Sequence, residues 1–334
     1  MALDALTPGD PRVKHDFMNV GGDITYHYMT AGPEGTPKVT AFLFHGWPDL
    51  AMGWRYQVPY LLRLGVRVVV PDMLGYGQTS SPDAEDEYSF KKMSAHMAQL
   101  IHEVNESEPV LLIAHDWGAA FAWRLAMYHP KLIRGVISFC IPFFPPARET
   151  PSLETMAELH PIIRYQVQIA SGETQRIVSK TPAGMRAFLN SVFDGVTPGG
   201  LPGFDLFVGI VEERYLDVAS SPLLSTDIVD HYVQEFARHG LHGPANWYRT
   251  YAINGDDEKP LAEPGVKVEF EFPAMVVVGG RTALYNPALT DGMEAYFPAG
   301  LRKELLAEAS HWVMADRPVE SNKLIGEFIN QVLS

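Results

Sequence analysis

The sequence predicts an α/β protein with a mostly parallel central sheet, helices on both faces and an inserted helical lid. Three observations carry this. Short continuous apolar runs such as "VTAFLF" and "PVLLIA" alternate with amphipathic stretches, as expected for strands buried on both faces and joined by crossover helices. The rhythm breaks near Pro142 and resumes with "AMVVV" at Ala274–Val278. Between these points helical periodicity and loops dominate. The expected partition is therefore core 1–141, helical lid 142–258 and core 259–334.

The elements follow in order. Lys14–Val20 and Ile24–Met29 alternate in polarity around Gly21-Gly22, the pattern of a hairpin. Val39–Phe44, Arg67–Pro71, Pro109–Ala114 and Gly135–Cys140 read as buried strands, and Ser89–Val104 as an amphipathic helix. In "GAAFAWRLAMYHP", Ala119, Ala122 and Ala126 form one small-residue face fit for close packing on a sheet, and Pro130 ends the helix. Within the insertion, Val196–Phe204 is rich in Pro and Gly and reads as a loop. "TDIVDHYVQEFARHG" is the clearest helix there, with Thr226 or Asp227 as N-cap and Gly240 as stop. After "AMVVV" come a helix following Asn286, the run "RKELLAEA" and a terminal helix Val319–Leu333.

Composition narrows the class. The 334 residues are 46% hydrophobic and 20% charged, ordinary for a globular chain. A net charge of −14 argues against a nucleic-acid partner, which would need a basic stripe. Cys140 is the single cysteine, so no internal disulfide and no cysteine-based metal site is expected. That fits a cytoplasmic setting. The first residues show no secretory pattern, and "QVLS" is no peroxisomal or lipidation signal. No run approaches ~18 apolar residues, so no membrane span is expected. Homo-oligomerisation is left open.

"AHDWGA" (Ala114–Ala119) holds the strongest chemical signal. It lies where a buried strand meets a helix and reads small–x–acid–x–small. A sharp turn there strains the central backbone, demands small neighbours two positions away and lifts the central side chain clear of the sheet. Asp116 is then a carboxylate nucleophile; taken alone it is equally a helix N-cap. "HGWPD" (His45–Asp49) follows an earlier strand, and the N–H groups of Trp47 and Trp117 are candidates for an oxyanion hole. "DMLGYG" reads as structural. His311, in "EASHWVMADRP", lies past a strand at the end of the sheet where ligands bind, and is the candidate general base.

"HGWPD", "PDMLGYG", "AHDWGAA" and "SHW" occur in the order and spacing of the α/β-hydrolase fold, and the chain resembles the soluble epoxide hydrolases over nearly its whole length. The Asp nucleophile is shared with haloalkane dehalogenases. Two lid tyrosines distinguish the epoxide hydrolases: the resemblance places one in "RYQ", as Tyr165, and one in "GPANWYR", as Tyr248. It implies that both donate hydrogen bonds to the epoxide oxygen. Asp116 then forms a covalent ester, which water activated by His311 hydrolyses to a vicinal diol. The expected partners are a small lipophilic epoxide and water, with no metal and no organic cofactor.

One part is missing. The family's triad acid falls at Thr282, in "GGRTALYNP", and the alternative acid site falls at Cys140 or its neighbours; neither place holds a carboxylate. Asp291 and Glu294 look too distant in sequence. Loss of a triad acid costs about 10⁴ in kcat in serine proteases. The alternatives to hydrolysis are therefore an epoxide-opening cyclase using an internal hydroxyl, a haloalkane or haloacid dehalogenase, and a non-catalytic ligand receptor of the same fold.

Overall fold

Val39–Phe44, Val110–His115 and Ala274–Gly279 are buried at every position, and all three are interior strands of the sheet. The computed structural model describes residues 3–106, 108–284 and 286–334. The chain divides into two compact units. One comprises Met1–Met73, Phe90–Pro146 and Leu261–Ser334; the other comprises Leu74–Ser89 and Ala147–Pro260.

The strands are β1 (Lys14–Gly21), β2 (Ile24–Ala31), β3 (Val39–Phe44), β4 (Val66–Pro71), β5 (Val110–His115), β6 (Ile133–Phe139), the two-residue β7 (Phe204–Asp205) and β8 (Gly209–Ile210), β9 (Ala274–Gly279) and β10 (Leu301–Leu306). In the first unit eight of them form one sheet in the order β1-β2-β4-β3-β5-β6-β9-β10. β1, β2 and β4 are antiparallel neighbours, and every pair from β4 to β10 is parallel. The chain runs outward from β3 to β4, then crosses back to place β5 on the other side of β3. The carboxyl ends of β3 and β5 thus flank a topological switch point, where open α/β sheets bind ligands.

The first three helices all belong to this unit: α1 (Gln57–Arg63), α2 (Phe90–Asn105) and α3 (Trp117–Tyr128). Ala119, Ala122 and Ala126 of α3 are fully buried, and α3 packs on β5, β6 and α2. Small side chains let its backbone approach the sheet closely. Trp123 on the same helix donates from Nε1 to the Ile141 carbonyl at 3.0 Å. Its ring meets Phe143, Phe270 and Phe297 edge-on or tilted. Fully burying each such ring contributes about 1.5–3 kcal/mol.

The second unit holds α4 (Leu153–Leu159), α5 (Arg164–Ala170), α6 (Glu173–Val178), α7 (Gly184–Val192), α8 (Thr226–His239), α9 (His242–Arg249) and α10 (Tyr251–Glu258). α8 buries Ile228, Val229, Tyr232 and Phe236 on one face. It opens at Thr226, so Ser225, with extended backbone, takes the N-cap position expected of Thr226 or Asp227. The β7–β8 pair and a bridge between Val196 and Pro202 add short β structure in and just after the stretch Val196–Phe204 expected to be a loop.

α11 (Val313–Asp316) and α12 (Pro318–Leu333) complete the first unit. The helix expected after Asn286 is replaced by two 3-10 turns, Pro287–Thr290 and Met293–Tyr296. The Asn286 side chain accepts the Ala288 N–H at 3.0 Å, a local bond that competes with helix propagation. Gly292, at φ +74°, separates the two turns. No described helix is long and apolar enough to cross a membrane.

Candidate active site

β5 ends at His115 and α3 starts at Trp117, so the turn between them is a single residue. That residue, Asp116, has φ +53° and ψ −127°, a conformation costing a non-glycine residue about 1–3 kcal/mol. Two glycines make room for it. A Cβ on Gly118 would lie 2.5 Å from the Phe44 carbonyl oxygen, and one on Gly46 would lie 2.5 Å from both Cβ and Oδ1 of Asp116. The Asp116 carbonyl accepts the Ala119 and Ala120 N–H groups, which starts α3. Its side chain reaches back toward β3.

There Asp116 Oδ1 accepts the Trp47 N–H at 2.9 Å. Its Oδ2 lies 3.6 Å from His311 Nε2. Asp116, Trp47 and His311, separated by up to 264 residues in the chain, therefore converge at the ends of β3, β5 and β10. Trp117 is the first residue of α3, so its N–H precedes the first intrahelical bond. His45 is held neutral: burial lowers its pKa, and its Nε2 accepts the Met73 N–H at 2.9 Å. This orders the turn that presents Trp47.

The His311 loop is placed by backbone contacts. Gly279 and Gly280 close β9, and a Cβ on Gly279 would lie 2.6 Å from the Ala309 carbonyl oxygen. The Arg281 N–H reaches the same carbonyl at 2.9 Å. Asp316 Oδ2 accepts the Ser310 N–H at 2.7 Å, while Oδ1 accepts from Arg317 Nη1 at 2.8 Å. The first acid after His311 in sequence is thus spent on holding this segment.

His311 Nδ1 is buried and has no hydrogen-bond partner among the described residues. Thr282 makes a local bond instead, accepting the Leu284 N–H at 3.3 Å. Asp291 ends a 3-10 turn and Glu294 pairs with Lys303 at 2.6 Å. Around His311 stand two groups whose roles the sequence reading missed. His115 Nε2 donates to the His311 carbonyl at 2.9 Å, and Cys140 Sγ donates to the same oxygen at 3.1 Å. One ligand-type atom from each of His115, Cys140 and His311 lies within 4.8 Å of the others. Burial holds the His115 pKa well below its ordinary range, with the neighbouring His311 as a second cause.

In the helical unit, Tyr165 on α5 and Tyr248 on α9 are both buried. Their rings lie 6.3 Å apart, edge to face at 77°. The surrounding motif fixes them. Arg249 donates from Nε to the Ala170 carbonyl at the end of α5 (2.7 Å) and from Nη1 to Asn246 Oδ1 (2.6 Å). Trp247 Nε1 donates to the Leu74 carbonyl at 2.9 Å. Gly243 leaves no room for a Cβ, which would lie 2.7 Å from the Gly75 Cα.

The sheet order and the strand–Asp–helix elbow define a protein of the α/β-hydrolase fold, and the family model for that fold matches residues 42–189. The chain is 49% identical to epoxide hydrolase srdG of Neurospora crassa, over 100% of both chains. It is 29% identical to bifunctional epoxide hydrolase 2 of Sus scrofa, covering 97% of this chain and 56% of that longer protein. Among solved structures, potato epoxide hydrolase I superposes with a TM-score of 0.80 at 25% identity, over 96% of this chain and 99% of that one. The chain belongs to the epoxide hydrolase family.

Proposed function

We propose that the protein hydrolyses a lipophilic epoxide to a vicinal diol through a covalent ester on Asp116. The observation that carries this is the two-sided engagement of the Asp116 carboxylate: Oδ1 is held by the Trp47 N–H, and Oδ2 is turned toward His311 Nε2. Family membership supports the substrate class.

Asp116 Oδ2 attacks an epoxide carbon and the carbon–oxygen bond opens. Tyr165 and Tyr248 supply hydrogen bonds to the departing oxygen, and one phenol gives it a proton. General-acid help of this kind contributes ~10²–10⁴ in rate. His311 then takes a proton from water, whose oxygen attacks Asp116 Cγ. The negative charge that develops on Oδ1 falls on the Trp47 N–H already bonded to that atom, with the Trp117 N–H as second donor. Collapse expels the diol oxygen, which takes the proton held by His311; the second water proton leaves the Asp116 carboxyl and returns to the phenolate, so that carboxylate and tyrosine are both restored. The helical unit acts as the lid carrying the tyrosines. A cytoplasmic setting keeps Cys140 a thiol.

Styrene oxide tests the reading. Diol release, with a transient mass increase on the peptide containing Asp116, is the expected result. A wild-type protein that yields neither adduct nor diol from a panel of aryl and alkyl epoxides overturns it. That His311 Nδ1 has no hydrogen-bond partner among the described residues favours one second reading: water attack is slow, and an epoxide carrying its own hydroxyl closes to a cyclic ether. A hydroxy-epoxide giving ether in preference to triol distinguishes the two.

A further inference from the structure

We infer that Cys140 and His115 are positioning residues for His311 that replace the absent triad acid, holding the base by its main-chain carbonyl instead of by its ring. The inference rests on the hydrolytic reading above, in which His311 acts only in the second half-reaction.

A carboxylate at Nδ1 does two things for a catalytic histidine: it fixes the ring, and it stabilises the imidazolium. Here Nδ1 has no hydrogen-bond partner among the described residues, and Asp316, at the end of α11, is committed to the Ser310 N–H and Arg317. Orientation must come from elsewhere. Two donors converge on the His311 carbonyl oxygen, at 2.9 Å from His115 and 3.1 Å from Cys140. That oxygen belongs to the same residue as the base, so pinning it limits rotation of the loop about His311.

Both donors stand on rigid ground. His115 is the last residue of β5, paired with Phe139 on β6. Cys140 follows β6 directly, and its N–H is bonded to the Val277 carbonyl on β9 at 2.8 Å. Cys140 has φ +73°, a left-handed conformation rare for cysteine. The strained backbone at this strand end turns the thiol toward His311. The protonation states suit donation. Removal from water, reinforced by the Asp116 charge, raises the Cys140 pKa far above its ordinary value, so Sγ keeps its hydrogen. His115 stays neutral, and its Nε2–H faces a carbonyl, which sets the tautomer.

The arrangement supplies position without charge. Ester formation on Asp116 does not use His311 as base, whereas ester hydrolysis does. Removing either donor therefore slows the second step and spares the first, a split that a general loss of packing does not produce.

The test measures both steps with styrene oxide, by rapid quench and mass analysis of the Asp116 peptide, in two matched pairs: Cys140→Ala with Cys140→Ser, and His115→Leu with His115→Gln. The Ala and Leu variants lose one neutral hydrogen bond and should hydrolyse the ester about three- to tenfold more slowly, with ester formation unchanged. Ser and Gln keep a donor and should recover most of that loss. Thermal melts establish folding, and where one truncation does not fold the other pair decides. Unchanged hydrolysis in Cys140→Ala and His115→Leu overturns the inference. So does parallel slowing of both steps without rescue by Ser or Gln. A wild-type protein that forms neither ester nor diol overturns the hydrolytic reading and this inference with it; normal wild-type turnover with unresponsive variants overturns the inference alone.

Discussion

At the residue scale, the proposed mechanism has Asp116 and His311 divide the reaction in time, and substitutions should separate its halves. Asp116→Asn removes the nucleophile, and diol formation should fall by ~10⁴ or more, with no adduct detectable by mass. His311→Gln keeps the nucleophile and loses the base. Ester should form at close to the normal rate and persist, its hydrolysis slowed by ~10²–10⁴; a variant that fails to accumulate ester contradicts the assignment. Thr282→Asp asks a different question. It places a carboxylate where the resemblance expects the triad acid, and if the missing charge limits turnover, ester hydrolysis should speed up. No change in that rate rules out the missing charge as the bottleneck.

At the scale of elements, the site depends on close approach of backbones. Gly46 and Gly118 lie where a methyl group would collide with Asp116 and with the end of β3. Gly118→Ala should lower the unfolding free energy by about 1–3 kcal/mol and disturb the elbow; chemical denaturation measures the first effect and ester formation the second. The antiparallel edge of the sheet carries a pH device of its own. Asp72, at the end of β4, bonds the His27 ring on β2 at 2.7 Å and the Ala51 N–H at 3.1 Å. Burial works to raise the Asp72 pKa, but the His27 bond and charge outweigh it, and the folded-state value is lowered. A lowered carboxyl pKa stabilises the fold in full above its unfolded value of about 3.9, and that stability is lost as pH falls through the folded value. Asp72→Asn should flatten the drop in stability below about pH 4, measured by denaturant titration at several pH values. The elements most legible in the sequence were of this local kind. The buried strands announced themselves as apolar runs, and the elbow as a strand-end Asp between small residues. The clamp on His311 was not legible. It needs β5, β6 and β9 to be neighbours in that order, a fact of sheet topology that brings residues 115, 140 and 311 together and leaves no mark on any one stretch. The segment after Asn286 was misread as a helix because a single Asx bond overrides the run of helix-compatible residues beyond it.

At the scale of the whole molecule, the expected insertion at 142–258 differs from the helical unit found, which also contains Leu74–Ser89. No apolar run marks that early segment; its membership is set by contacts with residues much later in the chain. Leu74 gives its carbonyl to Trp247, Asp83 gives its carbonyl to Asn246 at 3.4 Å, and Tyr76 packs against Phe236 and Trp247. Gly75 and Gly243 approach so closely that neither tolerates a Cβ. Substrate range in such enzymes is a natural target for recombination between relatives, and here the unit of exchange is discontinuous. A chimera that imports only residues 147–260 from a relative severs these partnerships and should melt about 5 °C or more below one that also imports 74–89, by scanning calorimetry. Any redesign meets the same constraint: two stretches far apart in sequence form one structural piece, and the short early segment has to be carried along with helices that the chain reaches only after Asp116.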